Sequence, residues 1–316
     1  MSSPIRIGIS ACLLGQEVRF DGGHKRDHFL IGVLGPHVEY VPVCPEVEMG
    51  LGTPRETLRL VRQDGRLRML TTRTAIDHTD GMSRWSAGRL NELAHEDLSG
   101  YVLKKDSPSC GMERVKTYSE NGPAARDGRG IFAAALLERF PQLPVEEEGR
   151  LGDATLRENF IERVFAYRRL QDLFAGRWSA GDLVRFHTAH KMSLLAHSTT
   201  AYNQLGQLVA RAGTAPRAEL RDTYRSLFMQ TLAIRATRAR HTNVLQHMAG
   251  HLKTLLAADA KADIAATITE YHAGLVPLVV PVTLLRHYVR LHDVTYLKGQ
   301  VYLEPHPREL MLRNHV

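Results

Sequence analysis

Three cysteines carry the chain's most specific chemical signal: Cys12 in "SACLLG", Cys44 in "VCPE" and Cys110 in "DSPSCG". Each lies beyond a short apolar run, in a stretch that contains Gly, Pro or Ser, the residues of turns. Structural cysteines usually fill space within strands and helices, so three thiols in three loops call for another explanation. An odd count in a chain of this length is no disulfide framework. Beside a purely structural role, three chemical readings remain. A closed zinc site needs a fourth ligand, for which His24 is available. A [4Fe–4S] cluster can be held by three cysteines, leaving one iron open to a soft donor such as sulfur. The third reading is one nucleophilic cysteine with two bystanders.

Groups able to move protons lie close to these thiols in sequence. Glu46, two residues after Cys44, is a candidate general base; its plain role is a charge at a helix start. Ser107 and Ser109 flank Pro108 just before Cys110. Either hydroxyl could orient a cofactor or a substrate, or simply make a turn. Ser10 is a weaker candidate of the same kind, and Asp21 reads as a turn cap. Lys104, Lys105 and Arg55 are candidate phosphate contacts.

The elements that must bring these loops together alternate through the first half. Ile5–Ser10, Val38–Val43 and Gly100–Lys105 read as short strands, and "LPVEEE" as a further one. Met82–Ala94 and Gly130–Phe140 read as helices. Strands separated by helical segments predict crossover units and a parallel, Rossmann-like α/β sheet. In such a sheet the loops beyond the carboxyl ends of the strands gather at one edge, so the three cysteines converge there. The stretch "EEEGRLGD" predicts a boundary, giving domains 1–152 and 153–316. The second half shows apolar residues at helical spacing and no alternating strand, which predicts an all-α domain.

Apolar residues make up 43% of the 316, enough for two packed cores. The net charge of +7 is uneven. Residues 1–150 hold 20 Lys+Arg against 21 Asp+Glu, or −1; residues 151–316 hold 21 against 13, or +8. A basic domain beside a neutral one predicts a polyanionic partner, with nucleic acid first and a merely solvated surface as the bland alternative. Arg235, Arg238 and Arg240, in "AIRATRARHTNV", are expected on one helix that tracks an RNA backbone. The pairs His187/His190 and His247/His251 share helical faces, but no acidic residue falls between either pair, so core or RNA-facing roles are expected. "PLVVPV" and "YLEPHPREL" read as structural. The start "MSSPIRIGIS" has no basic leader followed by an apolar core, and no apolar run reaches membrane-spanning length. A cytoplasmic protein with no membrane contact and no evident protein partner is expected.

The motifs "SACLLG…VRFDGG", "VCPEVEMGLGTPRE" and "DSPSCG", in this order, resemble the thiouracil desulfidase family. The helical second half is similar to the domain often fused behind it, and the pair resembles bacterial desulfidases that remove sulfur from 4-thiouridine in tRNA. The resemblance implies that Cys12, Cys44 and Cys110 hold a [4Fe–4S] cluster acting as a Lewis acid without net redox change. It also implies water attack on a thiocarbonyl carbon, with release of sulfide. A separate helical half argues for a macromolecular substrate whose base must be unstacked. Two alternatives are carried forward. One is a desulfidase for free thiouracil or thiouridine nucleotides. The other is a non-catalytic RNA-binding or stress-response protein whose metal site is sensory or structural.

Overall fold

The computed structural model describes residues 4–119 and 122–316. Met1–Ser3, the first three residues of "MSSPIRIGIS", lie outside the described residues. The chain divides into two compact units, Met1–Gly152 and Asp153–Val316.

The first unit contains the expected parallel sheet. Strands β1 (Arg6–Ser10), β2 (Glu39–Val43), β5 (Leu98–Leu103) and β8 (Val145–Glu147) pair in the order β2-β1-β5-β8, all parallel. Central β5 is buried at every position, as a strand covered on both faces must be. Gly8 in β1 leaves room for Tyr101: a Cβ there would lie 2.2 Å from the Tyr101 ring. On one face lie α2 (Thr79–Leu93) and α3 (Ile131–Arg139), locked by Phe132, whose ring sits 5.6 Å from Trp85 and 5.9 Å from Tyr101. A single-turn helix, α1 (Pro45–Glu48), follows β2.

A second sheet is not among the elements expected from the sequence. Strands β3 (Leu58–Gln63), β4 (Arg66–Thr71), β6 (Val115–Ser119) and β7 (Gly122–Gly128) run in the order β4-β3-β6-β7, antiparallel except for β3 against β6. Its first hairpin turns at Asp64-Gly65, both at positive φ (48° and 72°), the mark of a two-residue hairpin loop.

The second unit is helical, with no strand among its described residues. Its helices are α4 (Ala154–Phe174), α5 (Ala180–His197), α6 (Thr199–Ala210), α7 (Arg217–Ala233), α8 (Arg238–Leu252), α9 (Ala258–Ala273), α10 (Val279–Leu291) and α11 (Thr295–Lys298). Apolar faces of α8, α9 and α10 build a core around Val244, Met248, Ile268 and Leu285. Beside it runs a buried polar layer. Arg313 Nε donates to Glu158 Oε1 at 3.1 Å, and the His197 Nε2 lies 3.3 Å from Glu162 Oε2.

The arginine-bearing segment corrects the expectation. The helix breaks at Ile234, which is extended, and restarts with Thr237 as N-cap, its hydroxyl accepting from the Arg240 N–H. Arg235 therefore precedes α8 rather than sharing its face. Arg238 donates to the Tyr271 carbonyl at 2.9 Å, and Arg240 to the His197 carbonyl at 2.8 Å. These two guanidiniums cap carbonyls within the unit.

Candidate active site

The parallel register explains how the cysteines meet. Ser10 at the end of β1 lies opposite Val43 at the end of β2, and Ile9 pairs with Val102 of β5. Cys12 then falls two residues beyond one strand end and Cys44 one beyond the next, with the Cys110 loop leaving β5 at the same edge. All three thiols are buried and line one cavity of about 460 Å³.

Local contacts hold each loop. Cys12 sits in a 3₁₀ turn (Ala11–Leu14) closed by Gly15 at φ 91°, and its carbonyl accepts from Lys25 N–H at 2.9 Å. Cys44 is the N-cap of α1, its N–H donating to Glu48 Oε1 at 2.9 Å. The Cys110 loop caps α3: the carbonyls of Gly111, Pro108 and Ser109 accept from the N–H groups of Gly130, Ile131 and Ala133. Gly130 is required for this approach, because a Cβ there would lie 2.4 Å from the Ser109 carbonyl oxygen. From the other side, Glu147 Oε1 accepts from Met112 N–H at 2.7 Å. The acidic run expected as a strand end thus supplies acceptors that close the loop.

Glu46 lines the same cavity. Its Oε1 accepts from the Ser109 hydroxyl and lies 3.4 Å from Ser107 Oγ; its Oε2 accepts from Arg55 Nη2 at 3.3 Å and lies 3.7 Å from Cys44 Sγ. The Arg55 and Glu46 side chains are only 9% and 13% exposed. Ser107 Oγ also accepts from the Ser109 and Cys110 N–H groups at 3.3 and 3.1 Å. Ser109 Oγ lies 3.6 Å from Cys110 Sγ, and Ser10 Oγ accepts from Lys104 N–H at 2.9 Å. Burial pushes the Cys12 thiol up to about 11 and the Cys44 thiol up to about 12, with Glu46 adding to both. Burial, then Glu46, also hold Cys110 well above the ordinary thiol value. All three are thiols at neutral pH, so any metal bound here must displace protons.

Lys104 lines the cavity but is committed to Glu148, Nζ to Oε1 at 2.5 Å, while Lys105 is exposed at the rim. Arg55, a phosphate candidate by sequence, is tied to Glu46 and to the Val18 carbonyl at 2.9 Å. His24 is exposed, its Nδ1 accepting from Arg26 N–H, and is absent from the cavity lining, so the fourth ligand of the zinc reading is not in place. Among the described residues, no group of three or more His, Cys, Asp or Glu is close enough to bind one metal ion. His187 and His190 are core residues, bonded to Tyr224 Oη and the Phe186 carbonyl, and His247 and His251 are exposed with their rings in contact. Sequence reasoning missed Arg19, Phe20 and Lys25 on the cavity wall. Arg19 lies over the Phe20 ring at 5.2 Å, and Phe20 is 40% exposed. Phe20, an aromatic between Arg19 and the Asp21-Gly22-Gly23 turn, is the local signal that could have found them. No helix among the described residues is long and apolar enough to cross a membrane.

Residues 7–148 match the 2-thiouracil desulfurase family model, and residues 191–307 match the family described as "Protein of unknown function (DUF1722)". The chain is 32% identical over 166 residues to the uncharacterized protein YbgA of Escherichia coli (strain K12), covering 52% of this chain and 95% of that one. It is 29% identical over 145 residues to the uncharacterized protein YbbK of Bacillus subtilis (strain 168), covering 44% and 95%. A solved structure of the [4Fe-4S]-dependent thiouracil desulfidase TudS is 33% identical, covers 47% of this chain and 93% of that one, and has a TM-score of 0.38. Through the unit that carries the three cysteines, the chain belongs to the 2-thiouracil desulfurase family, and its helical unit carries a DUF1722 region.

Proposed function

We propose that the protein is a [4Fe–4S]-dependent desulfidase that converts the thiocarbonyl of 4-thiouridine in tRNA to a carbonyl. The observation that carries this reading is the meeting of three buried thiols with one partly buried carboxylate on a single cavity. A water occupies about 30 Å³, so 460 Å³ leaves room for a cluster and a small heterocycle together. Three thiols without a fourth protein donor fit a cluster with one open iron. Cys12, Cys44 and Cys110 would hold that cluster, which supplies Lewis acidity toward a soft sulfur donor.

The chain's own groups supply the proton chemistry. Glu46 takes a proton from the attacking water at a carboxylate oxygen, held in place by Ser109 on one oxygen and Arg55 on the other. Water adds its oxygen to the ring carbon, the C–S bond breaks and sulfur leaves as hydrosulfide; no electrons change hands. Ser107 holds the Cys110 loop through two N–H groups. The helical unit, with 21 Lys+Arg against 13 Asp+Glu, supports an RNA substrate. Of the predicted cations, Lys105 at the rim, Arg235 before α8 and Arg238 in its first turn are exposed.

The test is anaerobic reconstitution with iron and sulfide, followed by tRNA containing 4-thiouridine and, separately, free 4-thiouridine. Loss of the thiocarbonyl absorption and sulfide release on tRNA are expected, abolished by Cys110→Ala. Glu46→Gln is expected to keep its iron and lose at least 100-fold in kcat. Turnover of the free nucleoside alone would restrict the substrate to small molecules. No sulfide from either substrate would sink the desulfidase reading.

A further inference from the structure

The second unit contains a cavity of about 590 Å³ that the desulfidase reading does not use. Its buried lining is Val289, Gln300 and Leu303, and its walls carry Arg286, Arg290, Lys298, Glu304 and Arg308. Arg286 pairs with Glu304 Oε1 at 2.6 Å, and Lys298 pairs with Asp293. Arg290 and Arg308 are exposed and have no acidic partner among the described residues.

Stability alone does not explain this arrangement. Arg286 and Arg290 are four apart on α10, where like charges repel. Arg308 and Lys298 come from later segments, so the fold gathers cations from three places onto one concavity. Several guanidiniums elsewhere in the unit are committed: Arg168 to Asp172, Arg185 to Asp182, Arg221 to Asp222, Arg313 to Glu158. The α8 arginines cap carbonyls. Two uncommitted guanidinium forks facing one recess are suited to an oxyanion that accepts bidentate hydrogen bonds, above all phosphate.

We infer that the recess walled by Arg290 and Arg308 is a phosphate-binding site of the helical unit, taking either the backbone of a nucleic-acid strand or a free polyphosphate. It lies wholly within the second unit and does not depend on the desulfidase reading.

The test uses the full chain with two probes, a labelled single-stranded RNA and inorganic tripolyphosphate, measured as a function of salt. Arg290→Glu/Arg308→Glu is compared with Arg185→Glu/Arg221→Glu, which changes net charge equally on other faces. The first double variant is expected to weaken RNA binding at least tenfold near 0.1 M salt and to lower the log–log salt slope by about two. Arg290→Gln/Arg308→Gln is expected to act in the same direction, and circular dichroism checks that each variant folds. Competition by micromolar tripolyphosphate, lost in the first variant, identifies a small polyphosphate as the ligand. Failure to compete, with RNA binding lost, identifies a strand backbone. Equal losses in the two double variants, or unchanged binding of both probes, would overturn the site. Desulfurisation of free 4-thiouridine is read separately, so its failure cannot be mistaken for failure here.

Discussion

At the scale of single residues, Ser107 and Ser109 separate into two roles. Ser109 makes the shorter hydrogen bond to Glu46 Oε1, to which Ser107 donates only at 3.4 Å, whereas Ser107 accepts from the N–H groups of Ser109 and Cys110. Ser109→Ala removes an orienting hydrogen bond to the carboxylate. One such bond is worth about 1.5 kcal/mol, so kcat should fall about tenfold with KM and iron content unchanged. Ser107→Ala leaves two N–H groups of the cysteine loop without their acceptor, so its effect should appear in iron content. Steady-state kinetics with iron analysis on the same preparations distinguish the two; equal loss of iron in both variants would argue against a proton-handling role for Ser109. The pairing of Glu46 with Cys44 was visible in the string "VCPE". The tie to Arg55 was not, because a nine-residue separation through a loop has no periodicity to read.

At the scale of elements, the cysteine edge depends on how α3 meets the Cys110 loop. The loop's carbonyls satisfy the helix's first N–H groups, and Gly130 permits the contact. Gly130→Ala places a methyl against the Ser109 carbonyl and the Cys110 N–H, and backbone cannot yield as a side chain does. A cost of about 1–3 kcal/mol is expected, with iron content reduced while the helical signal stays. Unchanged iron loading in that variant would show that the loop has freedom the packing denies it. The parallel strands were legible because each is a short apolar run between turn residues. The second sheet was missed although Asp64-Gly65 advertises its hairpin, since β3 and β4 are rich in arginine and their alternation is weak. The α7–α8 break was missed because "AIRAT" keeps helical spacing. Thr237 decides the break by serving as the next N-cap.

At the scale of the whole molecule, histidines and charge are divided between the units. Burial holds His190 and His241 down to about 3 and His187 and His306 to about 4, so all four are neutral when folded. In the unfolded chain they protonate near pH 6.5. As pH falls below that value the unfolded state binds more protons, so stability is whole above pH 6.5 and is lost toward pH 4. For Glu162, burial raises the carboxyl but His197 outweighs it, and the net depression adds a further loss below the ordinary carboxylate range. His197 works the other way: Glu162 raises it against burial, and its contribution fades as pH rises. The four neutral histidines outnumber it. The unfolding free energy read from the helical signal should fall between pH 6.5 and 4, by on the order of 1 kcal/mol per pH unit for each uncompensated histidine. His241→Gln should flatten part of that slope, and a level profile across this range would contradict the assignment.

By itself the sequence determined the two-part architecture, the strand ends on which the cysteines lie, and the closeness of Glu46 to Cys44. These are local facts: periodicity, turn residues and short spacings are written in consecutive positions. Only the tertiary structure decided that the three thiols share one cavity, that Lys104 is bound to Glu148, that His24 stands apart, and that α8's arginines cap carbonyls while Arg290 and Arg308 stay uncommitted. Each of those depends on contacts between residues far apart in the chain. Whether a charged side chain is free or paired is settled by what the fold brings to its tip, which no local pattern records.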